Sequence, residues 1–184
     1  TRRSSDLDDL ALKYVDFLNS DPDSPWLNKI KMANQESNDG SINQQSFVKS
    51  IKKYVLVANN PITIQTADKQ HKIFLNYWKA ITNILGIEEP TVLFKYNGVE
   101  LFCKFSVPFF NKMINMPDFK VSTMQSLLEQ AFEEVEGDYA GVGHTDFWTK
   151  GSTASFLNSG ALNVINAEMV KALHKTNFQR DIEI

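Results

Sequence analysis

One cysteine among 184 residues excludes an internal disulfide framework and a cysteine-rich zinc site. The three histidines, His71, His144 and His174, stand far apart, and none belongs to an HxxxH or HExxH pair. The helical metal-ligand spacing of zinc enzymes is therefore missing, and no metal ligand or cofactor is expected. No apolar run approaches the roughly 18 residues of a membrane span. Nor is there a basic excess: 19 Lys and Arg face 22 Asp and Glu, a formal charge of −3. That balance argues against a dominant nucleic-acid surface. Repeats and low-complexity segments are lacking too. The N-terminal Thr1-Arg-Arg-Ser-Ser stretch runs into an acidic amphipathic segment, without the pattern of a signal peptide. With no initiator Met, the chain reads as excised from a longer protein, and its sparse cysteine suits a reducing, cytoplasmic setting.

What the chain does have is apolar mass. Hydrophobic residues make up 42% of it, with 13 Phe and three Trp, enough for a core without staples. Leu7, Leu10, Ala11, Tyr14, Val15 and Leu18 recur at helical spacing, with Asp6 available to cap the first turn and Asp21-Pro22 as the stop. Ser24-Pro25 starts a short turn carrying Trp26 and Ile30, and 34–40 reads as a polar loop ending in Asp-Gly. A second stripe, Phe47, Val48, Ile51, Tyr54 and Val55, starts near Asn43 and breaks at Asn59-Asn60-Pro61. Lys49, Lys52 and Lys53 crowd this helix and read as a solvated face. The third stripe is the strongest: Ile73, Phe74, Tyr77, Trp78, Ile81, Ile84 and Leu85, with Gly86 where a C-cap glycine belongs.

Residues 91–107 admit two readings. Val92 to Tyr96, Asn97-Gly98 and Val99 to Phe105 fit a hairpin with a type I′ turn. Leu101, Phe102 and Phe105 equally fit a helix beginning just after Gly98, with Pro108 opening a further turn through Ile114. We favour helix. Ser122-x-x-Gln125 reads as a capping box before Met124, Leu127, Leu128, Ala131, Phe132 and Val135, with Gly137 as the stop. Leu162, Ile165, Met169, Val170 and Leu173 mark the last helix. The expected fold is mainly α, one compact helical domain over 1–184 with about six helices and at most a small β element.

Between the last two stripes lies Gly141 to Gly160, with four glycines, many small polar residues, Trp148, Lys150 and His144. Connections of this length are usually functional or disordered, and the apolar residues Phe147, Trp148, Phe156 and Leu157 argue for order. Two readings compete. In one, Lys150, Gly151, Ser152, Thr153, Ser159 and Gly160 cradle an anion, with backbone N–H groups and a helix N-terminus facing it. The order of residues departs from a Walker A loop, whose Lys follows the glycines and precedes the helix. In the other, which we favour, the loop is structural and pinned by Trp148 and Phe156. The candidate ligand-binding set is Trp148, Lys150, Gly151, Ser152, Thr153 and Asn158. His144-x-Asp146 resembles an acid–base pair but has no accompanying nucleophile, so a turn with Asp146 bonding the backbone is expected. Glu133, Glu134 and Glu136 read as a solvated acidic end, and Cys103 as a small core side chain. No catalytic residue is assigned.

The segments Asp6-Asp-Leu, Leu18 to Trp26, Lys29-Ile-Lys-Met32 and Ile42 to Lys49 resemble the region downstream of the signature in DGQHR-domain proteins. So do Leu75 to Ile81, and Trp148-x-Lys150-Gly151-Ser152 followed by Leu157-Asn158-Ser159-Gly160. The resemblance covers most of the chain as spaced residues rather than one sharp motif. It implies kinship with the ParB/sulfiredoxin-like superfamily and with regulators of DNA phosphorothioate modification. Asp68-Lys-Gln-His-Lys72 imitates the Asp-Gly-Gln-His-Arg signature but departs at the Gly and the Arg, so the true signature would lie upstream. The resemblance implies a C-terminal, non-catalytic helical domain of a prokaryotic DNA-modification or defence protein, contacting DNA, a protein partner or the remainder of its own chain. The alternatives are a phosphate- or nucleotide-handling enzyme fragment using the 141–160 loop, and an oligomerisation domain.

Overall fold

The computed structural model describes residues 4–33, 42–88 and 91–176; the polar loop expected over 34–40 lies outside them. Among the described residues six α-helices form a compact helical domain: α1 (Ser4–Ser20), α2 (Gln44–Ser50), α3 (Ala67–Leu85), α4 (Tyr96–Met113), α5 (Val121–Glu133) and α6 (Ser159–Lys175). Helix α3 packs on α5, α5 on α6 and α6 on α4, while α2 packs on α4 and α1 on α2 and α3. Pairing of strand type among the described residues is confined to two isolated bridges, Lys31 with Asn43 and Thr91 with Thr149.

The apolar stripes predicted from spacing are the buried faces. Phe74, Tyr77, Trp78 and Ile81 of α3 are fully enclosed. Trp78 meets Trp26, Phe47, Phe74, Tyr77 and Phe102 with ring centroids 4.9–6.4 Å apart. Such pairs add to the area term of burial. Trp26 enters this cluster from the turn after α1, whose geometry Ser24 fixes by accepting the Trp26 N–H at 3.1 Å. The Asn43 side chain caps α2, accepting from the Ser46 N–H at 2.8 Å. Helix α2 then loosens into a π-helical turn over Ile51–Val55, and Asn60 caps the short 3₁₀ turn that Pro61 opens.

Helix α4 settles the ambiguity at 91–107. It begins at Tyr96, before Asn97-Gly98 rather than after it. Gly98 serves close packing: a Cβ there would lie 2.0 Å from the Leu93 carbonyl oxygen. The strand-like residues 91–94 therefore fold back against the first turn of α4, and pair with the later loop through Val92 N–H to Trp148 C=O at 2.7 Å. The side chains from Gly98 to Cys103 are all buried. Six consecutive buried positions hide the helical alternation of inner and outer faces, so this run of apolar residues imitates a strand. Pro108 stands inside α4, where a new turn had been expected to open. Nearby side chains reinforce the interrupted ladder, Ser106 Oγ donating to the Cys103 carbonyl at 2.7 Å and Asn111 Nδ2 to that of Val107 at 2.9 Å.

The capping box expected at Ser122 and Gln125 is a second correction. Helix α5 starts at Val121, which puts Ser122 inside the helix. Gln125 instead accepts from Asn83 Nδ2 at 3.1 Å. The turn is tied by Asp118, whose Oδ1 accepts from the Lys120 N–H at 2.9 Å and from Thr123 Oγ1 at 2.7 Å. These bonds hold the Asp118 carboxyl below its ordinary range.

Candidate functional site

The long connection from α5 to α6 is built from three 3₁₀ turns, Gly137–Gly143, Thr145–Trp148 and Thr153–Phe156. Trp148 is its fully buried anchor. The indole N–H donates to the Val142 carbonyl at 2.9 Å, and the Trp148 carbonyl receives the Val92 N–H. Phe147, Val142 and Ala154 join it inside. Phe156, expected as a second anchor, is 79% exposed. The turn that buries Ala154 directs the ring of Phe156 away from the core.

Beside Phe156 lies a hollow of about 320 Å³. One wall is Val92, Lys95 and Asn97, from the segment entering α4; the other is Lys150, Gly151, Ala154 and Ser155. Asn97 joins the walls, its Nδ2 donating to the carbonyls of Ala154 and Leu157 at 3.1 Å each. It thereby grips the backbone on both sides of Phe156. Lys95 is half-buried and Lys150 exposed. Neither makes an ion pair with another described residue.

Of the six predicted ligand-binding residues, the structure brings Lys150 and Gly151 to this hollow and gives the others different places. Trp148 lies beneath the loop. Ser152 turns its hydroxyl to the Phe147 carbonyl, Thr153 is exposed at the start of its 3₁₀ turn, and Asn158 caps α6 by accepting the Ala161 N–H at 2.9 Å. The Gly151 N–H donates to Ser155 Oγ at 2.8 Å and the Ser152 N–H to the Thr149 carbonyl at 3.0 Å. Two donors proposed for an anion cradle are thus used within the loop. Ser159 and Gly160 sit exposed in the first turn of α6. Lys95, Asn97 and Phe156 completed the site without any local signal. Asn97 and Ala154 lie 57 positions apart, and only the pairing of 91–92 with 148–149 brings them together.

Other polar groupings are tied up internally. A larger hollow, about 530 Å³, lies against Lys49, Lys52 and Lys53. Lys52 is paired with Asp8, and Lys53 stands 4.0 Å from the Glu100 carboxylate and 4.7 Å from the Tyr54 ring centroid. Two of the three lysines therefore meet partners of this chain, and the face carries little free positive charge. Glu100 is buried in α4 and accepts from the Tyr54 hydroxyl at 2.8 Å, tying the π-helical turn to the core. Hydrogen bonding to the same carboxylate, helped by partial burial, pushes the Tyr96 phenol up to about 12.

His144 and Asp146 are both exposed, and their turn is held by backbone bonds, with the Asp146 carbonyl accepting the Thr149 N–H at 3.3 Å. Cys103 is buried, which pushes its thiol well up. Glu134 and Glu136 form exposed ion pairs with Lys175. Asp68 to Lys72 belong to the opening of α3. Gln70 there is occupied by the Tyr14 hydroxyl at 2.8 Å and by the Gln65 carbonyl at 2.7 Å. No group of three or more His, Cys, Asp or Glu side chains suited to a metal ion occurs among the described residues. No described helix is long and apolar enough to cross a membrane. Comparison with protein-family models, with curated proteins and with solved structures finds no match to this chain.

Proposed function

We propose that this chain is a non-catalytic helical domain that contacts DNA through the hollow between Lys95 and Lys150, within a DGQHR-like protein of DNA modification or defence. The observation carrying the contact is the pair of lysines, without an ion-pair partner among the described residues, flanking an open hollow rimmed by an exposed ring. Elsewhere the loop uses several of its own polar groups; here Lys150 of the loop and Lys95 before α4 stand without counter-charge among the described residues. The ionisable side chains lining the hollow are these two lysines, so it offers positive charge for holding phosphates. The spaced resemblance to DGQHR-domain proteins supplies the DNA-modification setting.

The overall charge of −3 fits a small footprint rather than a broad basic surface. Two phosphate contacts give a shallow salt dependence, a slope of log K against log salt between about −1.4 and −1.8. Titration of labelled oligonucleotides at several salt concentrations tests the proposal. Lys150→Ala should weaken binding at every salt concentration and reduce the slope by about 0.7–0.9. Binding that is unchanged in both Lys150→Ala and Lys95→Ala would remove the hollow from consideration.

A further inference from the structure

Resting on that reading, we propose that the hollow takes one nucleotide of single-stranded DNA, its base stacked on Phe156 and the phosphates on either side of it held by Lys95 and Lys150. Several described apolar side chains are exposed, Ile64, Ile114 and Val164 among them, and isolated cases are ordinary on protein surfaces. Phe156 differs in its company. It is a strongly exposed ring that shares a hollow with two lysines unpaired among the described residues, and Asn97 fixes the backbone on either side of it. The ring is thus presented on a braced support rather than on a free loop tip.

Phosphate contact alone has no use for an exposed aromatic. Stacking on a base does, and base faces are hidden inside a duplex but open in a single strand. The volume, about 320 Å³, is at the small end of the range for ligand pockets and suits one nucleotide-sized unit. Binding of this kind is tolerant of sequence, because every base has a π-face. The hollow therefore selects for strand state, not for a base sequence.

The test is fluorescence anisotropy of the full chain with a short oligothymidine, its duplex with oligoadenine, and an abasic oligomer of the same length. The single strand should bind more tightly than either of the others. Phe156→Ala should weaken single-strand binding about 5- to 150-fold, the range for loss of one stacked base. Phe156→Trp should restore it, and the melting temperature of both variants should stay at that of the parent because the ring is exposed. The abasic oligomer should bind Phe156→Ala and the parent chain equally. Duplex binding as tight as the single strand, with Phe156→Ala without effect while Lys150→Ala still weakens it, would overturn the stacking proposal and leave the phosphate contact standing. If no oligonucleotide responds to either lysine substitution, both proposals fall.

Discussion

The aromatic cluster around Trp78 and the loop carrying Phe156 use the same residue chemistry in opposite ways. In the cluster, rings from α3, α4, α2 and the turn at Trp26 enclose one another, and each is held by several neighbours. The loop depends on a few directional bonds: the Trp148 indole to Val142, and Asn97 to the backbone around Phe156. Apolar packing is redundant, and hydrogen bonds at chosen points are not. A region held by a few such bonds can present a ring to solvent without collapsing over it, which a packed core cannot do.

The largest expected effect breaks the cluster. Trp78→Ala removes a fully enclosed ring from the middle of the core and should cost about 3–5 kcal/mol in denaturant unfolding. The Trp78 indole N–H has no hydrogen-bond partner among the described residues. Trp78→Phe should therefore cost distinctly less, since it loses volume but no bond. Equal losses for the two variants would show that the indole N–H matters more than its surroundings indicate.

Next in size is Gly98→Ala, which drives a methyl group against the backbone of Leu93. Overpacking of this kind costs about 1–3 kcal/mol, and because the contact is backbone, no side-chain rotation relieves it. The same substitution should disturb the hollow, since Val92 and Lys95 lie on the displaced segment. Asn97→Ala leaves two carbonyls without their donor and should cost about 1–3 kcal/mol. It sharpens the comparison by releasing Phe156: nuclear magnetic resonance should show the ring region gaining motion while the Trp78 cluster keeps its signals.

Helices whose one face is buried announced themselves through spacing, as α3 did from Ile73 to Leu85. Helix α4 did not, because the unbroken burial from Gly98 to Cys103 blurs helical periodicity at its start. The cap of α5 was misread for a related reason. Asp118 sits three residues before the helix begins, whereas Ser122 and Gln125 carried the familiar spacing from inside it. Lys150 and Gly151 were legible as loop residues of a candidate site. Lys95, Asn97 and Phe156 were not, because their meeting depends on contacts across some 57 positions and on a 3₁₀ turn that buries Ala154 and leaves Phe156 outward.

Lys150→Ala should leave stability within about 0.5 kcal/mol of the parent chain, as expected for an exposed side chain without a partner. A larger loss would mean that Lys150 braces the loop, and the contrast between a self-consuming loop and two spare cations would fail.

The smallest effect lies at the edge of the cluster, where His71 stacks on Phe17 with centroids 5.3 Å apart and meets the Tyr14 ring edge-on at 4.7 Å. Partial burial pulls the imidazole below its ordinary 6.5, against an upward pull from Asp68 and together with a downward push from Lys13. The folded protein then binds fewer protons than the unfolded chain through this window. Stability contributed by neutral His71 is complete above about pH 6.5 and is lost as the pH falls toward the depressed folded value. A histidine ring-proton titration should give a midpoint below 6.5. His71→Phe, which keeps the stacked ring and removes the titration, should flatten the fall in melting temperature between about pH 7 and pH 5. A midpoint at or above 6.5 would place the ring in water and detach it from the aromatic cluster.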